Sequence, residues 1–484
     1  MIRTLLGAAA ALSIVVAGPT FAAEPAKPRL VVLTDIGNEP DDQMSLVRLL
    51  LYANELDIEA IVATTSTWQR GKVSPEIARG VIEAYGTVVP NLRLHAPGWP
   101  DGPALLSRLW RGVAGYGLAA LDTAPLSDGA KAIIAAADAP DRRPVWVTLW
   151  GGANTLAQAL AHVRATRTPA ALAAFVARLR VSSISDQDDA GPWIRREFPG
   201  LFYIVEPSTA DAGDYAAATW TGISGDRFYR NGAGADFTTV TNEWLDANIR
   251  AKGPLGKHYP RFMFIMEGDT PAFLGLIPNG LQSGEQPNWG GWGGRYILRQ
   301  PYGETRPIWA QGGDVSSRVT SADTVNGVTS DQATIWRWRP AFQNDFAARM
   351  DWTIKPYAAA NHPATVIVNG QEGASPIAMD AVVGQPVLLD ASASRDPDGD
   401  KLTYRWFHYP EAGYATGTAL AALDVDRSET PRPTVVATAT CRPAWIVHQS
   451  CPQQGIAHLI LAVTDDGSPA LTRYRRVILT IRQN

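Results

Sequence analysis

Hydrophobic positions along this chain follow two rhythms, and the change from one to the other divides it. In the earlier part, short unbroken apolar runs alternate with segments whose apolar residues recur three and four apart. The run at 30–33, LVVL, is too short for a buried helix and rich in β-branched valine, so it predicts a core strand. Met44, Val47, Leu50 and Leu51 then mark one face of a helix, and 58–63 reads as the next strand. That is a β-α-β unit, whose crossover makes its two strands parallel neighbours. Strands follow at 143–150, 179–184, 201–205 and 261–266 (RFMFIM), with helices at 155–163 and 193–198 between them. Alternation of this kind predicts an α/β domain, residues 24–357, on a mostly parallel open sheet covered on both faces.

From about residue 362 the rhythm changes to short strands separated by turn clusters: TVIVNG, QPVLLDASAS, LTYRWFHYP, PTVVATA, HLILAVTDDG and YRRVILTIRQ. It predicts an all-β sandwich at 362–484. Tyr404, Trp406 and Tyr409 fall along one of these strands and read as its core. Residues 1–22 differ again, with Arg3, an apolar run from Leu5 to Val16 and a small-residue exit at Thr20, Phe21 and Ala22. They read as a signal peptide, which predicts a periplasmic or secreted protein. The run is too short to span a membrane comfortably, and no later one qualifies.

Charge and cysteine content narrow the function. The formal net charge of −4, or −5 without Arg3, gives no basic footprint and argues against a nucleic-acid partner. The two cysteines, Cys441 and Cys451, can pair across a short loop in an oxidising compartment; without a His or Cys cluster around them a zinc site is not expected.

The chemistry concentrates after the first strand. Asp35, Glu39, Asp41 and Asp42 put four carboxylates within eight residues, with Gly37 and Asn38 as turn formers and Pro40 suited to a helix start. A helix N-terminus stabilises one or two anions, each by roughly 0.3–1 kcal/mol, so four close together need protonation, solvent or a cation. Oxygen ligands suit a hard ion, Ca²⁺ or Mg²⁺; the alternative is a solvated acidic turn. Three other strands end in polar turns: 151–154, 185–189 (with Asp186 and Asp188) and 267–269 (with Glu267 and Asp269). In a parallel α/β sheet the carboxyl ends of strands share one edge, so these turns are expected to converge on one cleft. Residues 283–314 are glycine-rich and carry Trp289, Trp292, Tyr296, Tyr302 and Trp309. Such a loop either caps the core with its own rings or offers an aromatic rim for a sugar, which Trp68 would join. In the β part, Asp396-Pro397-Asp398-Gly399-Asp400 is either a plain Asp-Gly turn or a Ca²⁺ loop with alternate carboxylates, as in cadherin-like modules.

The stretch TDIGNEPDDQMSL resembles the signature of the nucleoside hydrolase fold, in which D-x-D-x-G-x-D-D follows the first strand and holds calcium. Together with EGDTPAFLGLIPNGL and PNWGGWGGRY it is more similar still to a bacterial secreted family, often labelled cellulose-binding. That family joins a nucleoside hydrolase-like domain to an Ig-like C-terminal module. The resemblance implies Asp35, Asp41, Asp42 and Asp269 as calcium ligands, with the backbone carbonyl of Asn154 from WGGANTLAQAL. Gly37 stands where the motif has its second Asp, next to Ile36, while the spacing from Asp35 to Asp41 and Asp42 is the motif's own. Gly268 stands where the hydrolases have a histidine, and only His258 lies near a motif.

Two functions follow. One is a metal-dependent hydrolase of glycosyl bonds, with Asp35 as general base and Asn38, Trp68, Asp186, Asp188, Glu267, Trp289, Trp292 and Tyr296 holding a carbohydrate. Set against the resemblance, the missing histidine favours an O-glycoside over a nucleoside, or no chemistry at all. The other is a carbohydrate-binding protein, for a cellulose-like polysaccharide, that keeps the cleft without catalysis.

Overall fold

The computed structural model describes residues 26–122, 124–207, 212–224, 231–232, 234–313, 319–412, 421–441 and 451–483; the expected signal peptide lies outside them. An eight-stranded sheet forms the centre of the α/β part. Its strands are β1 (Arg29–Thr34), β2 (Asp57–Ala63), β3 (Leu109–Arg111), β4 (Val145–Leu149), β5 (Leu179–Ser185), β6 (Phe202–Glu206), β7 (Ile297–Arg299) and β8 (Ile308–Ala310). They lie in the order β3-β2-β1-β4-β5-β6-β8-β7, all parallel except β7, which pairs antiparallel with β8.

Side chains of β1 alternate between two cores, as the period of a strand requires. Leu30 and Val32 pack under α1 (Asp41–Leu50), α2 (Pro75–His95) and α3 (Gly102–Leu106). Val31 and Leu33 pack under α4 (Asp128–Asp138), α5 (Asn154–Thr166), α6 (Pro169–Ala177) and α7 (Ala190–Glu197). From β1 the chain builds outward through β2 and β3 on one side, and from β4 through β5 and β6 on the other. The order therefore reverses between β1 and β4, where a parallel sheet opens a crevice beyond its carboxyl edge.

The expected strand at 261–266 does not form. That segment is irregular, with Met263 and Phe264 exposed and Ile265 and Met266 turned into the core. The place beside β6 is taken by β8, from inside the glycine- and tryptophan-rich loop. A short apolar run without alternation does not distinguish a strand from a buried coil, which is how RFMFIM misleads.

Two small hairpins follow, β9 (Asp323–Val325) with β10 (Val328–Ser330) and β11 (Ile367–Val368) with β12 (Gln371–Glu372). The sandwich proper packs the sheet β13-β19-β18-β15 on the sheet β14-β17-β16 around Trp406, Val435, Leu459 and Val477. These strands are β13 (Ile377–Val382), β14 (Pro386–Leu388), β15 (Thr403–His408), β16 (Ala422–Asp426), β17 (Thr434–Ala439), β18 (Gln454–Thr464) and β19 (Thr472–Arg482). Cys441 and Cys451 are disulfide-bonded.

The glycine- and tryptophan-rich loop is the seat of the sandwich. Arg476 of β19 donates to the carbonyls of Leu281 (2.8 Å), Trp289 (3.1 Å) and Gly290 (2.9 Å). A Cβ added to Gly290 would stand 2.2 Å from the Tyr409 hydroxyl, and one on Gly280 would stand 1.8 Å from the Tyr474 carbonyl. Both glycines have positive φ, so close approach and backbone conformation make the same demand. Trp338 meets Phe407, Tyr409 and Tyr474 across this seam. Tyr409, read from sequence as sandwich core, is buried here instead, its hydroxyl donating to Asp323 at 2.6 Å.

Candidate functional site

Beyond the carboxyl ends of β1 and β4, at the switch in strand order, lies a small crevice. Its lining falls into two groups: the carboxylates Asp35, Glu39, Asp41, Asp42 and Asp269, and the rings of Trp68, Trp150, Tyr215 and Trp220. Asn38, Gln187 and Ile265 complete it.

Each acid is placed by the element that carries it. Asp35 is the first residue past β1; Gln69 donates to its carbonyl at 2.9 Å, and the Ser66 hydroxyl bonds its carboxylate. That hydroxyl also accepts the N–H groups of Trp68 (3.0 Å) and Gln69 (3.1 Å), which leaves its own proton for Asp35. Gly151, past β4, makes room: a Cβ there would sit 2.6 Å from Asp35 Oδ1. Asp41 and Asp42 open α1, and the Thr34 hydroxyl donates to Asp42. One oxygen each from Asp41, Asp42 and Asp269 lies within 4.8 Å of the others. Asp269 is delivered by Glu267, a non-glycine residue at φ 56°.

Asp35, Asp42 and Asp269 are buried, and among the described residues none of the five acids has an ion-pair partner. Burial and then mutual repulsion raise their pKa values: Asp41 to about 8, Asp42 and Asp269 well above the carboxylate range. Asp35 is raised to about 6, chiefly by burial, against the Ser66 bond that lowers it; Glu39 is raised by burial. Asp269 Oδ2 is buried with no hydrogen-bond donor among the described residues. Oxygen donors crowded this closely, one of them orphaned, fit a hard divalent cation.

Several residues expected here lie elsewhere. Glu267 is fully buried, taking donors from Arg48 (2.5 and 3.0 Å), Tyr259 (2.5 Å) and Thr270 (2.9 Å), which spends its carboxylate on the core. Asp186 forms a bidentate pair with Arg195 at 2.8 and 2.9 Å. Asp188 accepts the N–H groups of Asn154 and Ala190, both at 3.0 Å, at the starts of α5 and α7. Gln187, between them, is the residue that reaches the crevice. Asn154, whose backbone carbonyl was the expected ligand, is not among the lining residues; its side chain bonds Thr64 and Thr65 at 3.1 Å and the Gly115 carbonyl at 2.6 Å. Trp292 is fully buried against Phe342. Trp289 packs edge-on to His458 and lines a groove with Pro28 and Pro144, which precede β1 and β4, at the opposite edge of the sheet. Tyr296 is half-buried beside Trp146 and Pro271. The aromatic wall is therefore Trp68, as expected, with Trp150, Tyr215 and Trp220. Trp150 ends an apolar run and carries no sequence signal of its own; Tyr215 and Trp220 sit in a stretch without periodicity.

Gly268 also has its reason. A Cβ there would come within 2.8 Å of Asp41 Oδ2 and 3.2 Å of the Trp220 ring, so no larger side chain fits beside Asp41. Ile36 points the other way, into the core with Met44.

The sheet, its switch point and the acidic crevice define a nucleoside hydrolase-like α/β protein carrying a β-sandwich. Residues 29–296 match the nucleoside hydrolase-like domain of cellulose-binding Sde182, and residues 386–481 match the C-terminal domain of cellulose-binding protein Sde0182. The chain belongs to this family. It is similar to a solved nucleoside hydrolase-related protein from Saccharophagus degradans associated with carbohydrate metabolism. Identity is 34%, the match covers 94% of this chain and 100% of that one, and the TM-score is 0.76. The type III effector XopQ, solved with adenosine diphosphate ribose, matches at 11% identity over 69% of this chain and 96% of that one, with a TM-score of 0.36. No curated protein matches. Among the described residues no helix is long and apolar enough to cross a membrane.

Proposed function

We propose that this protein is an exported, calcium-dependent hydrolase of glycosyl bonds that acts on a carbohydrate O-glycoside. The observation that carries the reading is the convergence of Asp35, Asp41, Asp42 and Asp269, without a cationic partner among the described residues, against a wall of aromatic rings. Asp41, Asp42 and Asp269 would hold Ca²⁺, with Asp35 beside them. Such an ion binds sugar hydroxyls and increases the acidity of water. Mg²⁺ meets the same donors but demands a stricter octahedron.

The chain's own residues supply the rest. Trp68 and Tyr215 stack on the apolar face of a sugar ring, and the buried rings of Trp150 and Trp220 back the crevice and exclude water. Asp35, fixed by Ser66, takes a proton from the water that attacks the anomeric carbon. Glu39, on the rim with its pKa raised, protonates the oxygen that leaves as the glycosidic C–O bond breaks. Among the described residues no imidazole lines the crevice to protonate a nucleobase, which favours an oxygen leaving group. Export rests on the signal-peptide pattern of residues 1–22. The description of the family as cellulose-binding favours a second reading, a carbohydrate-binding protein without turnover.

A panel of aryl and oligosaccharide glycosides and nucleosides, assayed with calcium and with a chelator, separates the readings. The hydrolase reading expects release from at least one O-glycoside, abolished by chelation and reduced at least 100-fold in Asp35→Asn. Calcium-dependent saccharide binding without release leaves the binding reading.

A further inference from the structure

We infer that His95, His362 and Asp398 form a proton-held latch that fastens the connection between the α/β part and the sandwich and lets go as pH rises. Three polar contacts run in line. The Lys355 carbonyl meets His95 Nε2 at 2.9 Å, His95 Nδ1 meets His362 Nε2 at 2.9 Å, and His362 Nδ1 meets both oxygens of Asp398 at 3.0 Å. His95 ends α2 and Asp398 lies in the sandwich, so the line ties one part to the other through residues 355–362. Both rings are buried, His95 at 8% exposure and His362 at 4%.

The hydrogens along this line can be counted. Each contact needs one hydrogen between its two atoms. A carbonyl and a carboxylate supply none, and two neutral imidazoles supply two. The three contacts therefore close only with a third hydrogen, which makes one ring an imidazolium beside the carboxylate. Burial holds the His95 pKa below the ordinary histidine value, against the Lys355 carbonyl, which raises it. The extra proton thus belongs to His362. Asp398 also accepts the backbone N–H of His362 at 2.7 Å, and the Tyr357 ring lies stacked 3.9 Å from the His362 ring, offering a face that favours a cation.

The charges around the line are already paired. Arg93 of α2 pairs with Asp101, Lys355 with Asp351, and Arg349, beneath Trp352, with Asp345 and Glu55. Asp465 accepts from Asn361, and Asp396 accepts the N–H groups of Asp398 and Asp400. Asp398 spends both oxygens on His362, so the 396–400 run is a plain Asp-Gly turn. When the third hydrogen leaves, two lone pairs face each other in one contact and the line opens. The latch is therefore closed while the proton is held and lost as pH rises, independently of the acidic crevice.

Hydrogen exchange of the full-length chain, corrected for the intrinsic rate, tests this between about pH 6.5 and 9, the range above which histidine is neutral. Protection of the amides at 355–362 is expected to fall at least tenfold in the wild type, while that of β18 does not change. Asp398→Asn should make the protection at 355–362 independent of pH, because its amide brings the third hydrogen and satisfies the line with two neutral rings. Equal protection at both pH values in the wild type overturns the proposal, as does the same fall in Asp398→Asn. Should that variant not fold, nitrogen NMR of the histidine rings in the wild type decides. One doubly protonated ring at about pH 7.5, where free histidine is mostly neutral, supports the latch, and neutral rings only overturn it.

Discussion

The side chains that Gly151 and Gly268 lack leave room for charge: a Cβ at either would press on Asp35 or Asp41. The crevice packs acid against backbone, and the acids bear the cost. Asp35 and Asp41, raised by burial to about 6 and about 8, hold protons in the folded chain to higher pH than in the unfolded chain. The stability they contribute is complete below about pH 4 and is lost as pH rises through about 6 and then 8. In chelator, the thermal midpoint should therefore fall between about pH 6.5 and 8.5, and Asp41→Asn/Asp42→Asn should flatten the slope. Calcium at 100 times its Kd should restore about 2.7 kcal/mol. A midpoint that rises over that interval in chelator contradicts the burial of these charges. The acids were legible in the sequence because carboxylates past a strand end stand out from an apolar background. Glu267 shows the limit: two residues from Asp269, it faces the core, and composition does not reveal which way each points.

At the scale of elements, the glycine- and tryptophan-rich loop reads differently in sequence and structure. Its density of rings suggested a sugar rim, yet Trp292 is core and Trp289 meets the sandwich. A ring that stacks on sugar and a ring that seals a domain seam have the same composition and differ only in what folds over them. Trp292→Ala should cost about 3–5 kcal/mol of stability, read by denaturant unfolding, and leave saccharide affinity of the folded fraction unchanged. Trp68→Ala, at an exposed rim position, should do the reverse, weakening affinity at least tenfold with a shift in unfolding midpoint too small to resolve. If the two variants exchange these phenotypes, the assignment of the aromatic wall is wrong. The strands flanking the crevice were readable because each is an apolar run ending in a polar turn; RFMFIM had the same composition but no place beside β6.

Over the whole molecule, the sandwich is part of the α/β core rather than an appendage. Tyr409, Ala412, Ile460 and Tyr474 belong to the same buried cluster as Met44 and Phe273, and Arg295, Arg337 and Tyr409 all bond Asp323. A chain truncated after Tyr357 should therefore expose the Trp338 face and aggregate on refolding; recovery of a soluble, cooperatively unfolding fragment contradicts a shared core. The change of rhythm near residue 362 marked the second architecture, but nothing in it showed that the two would share a core. The claim on which the account turns is that the acidic crevice holds a cation. Calorimetric titration of the chelator-stripped, full-length protein with calcium chloride tests it most directly. Tight calcium binding is predicted for the wild type and its loss in Asp41→Asn/Asp42→Asn; unchanged affinity and stoichiometry in that variant would contradict it.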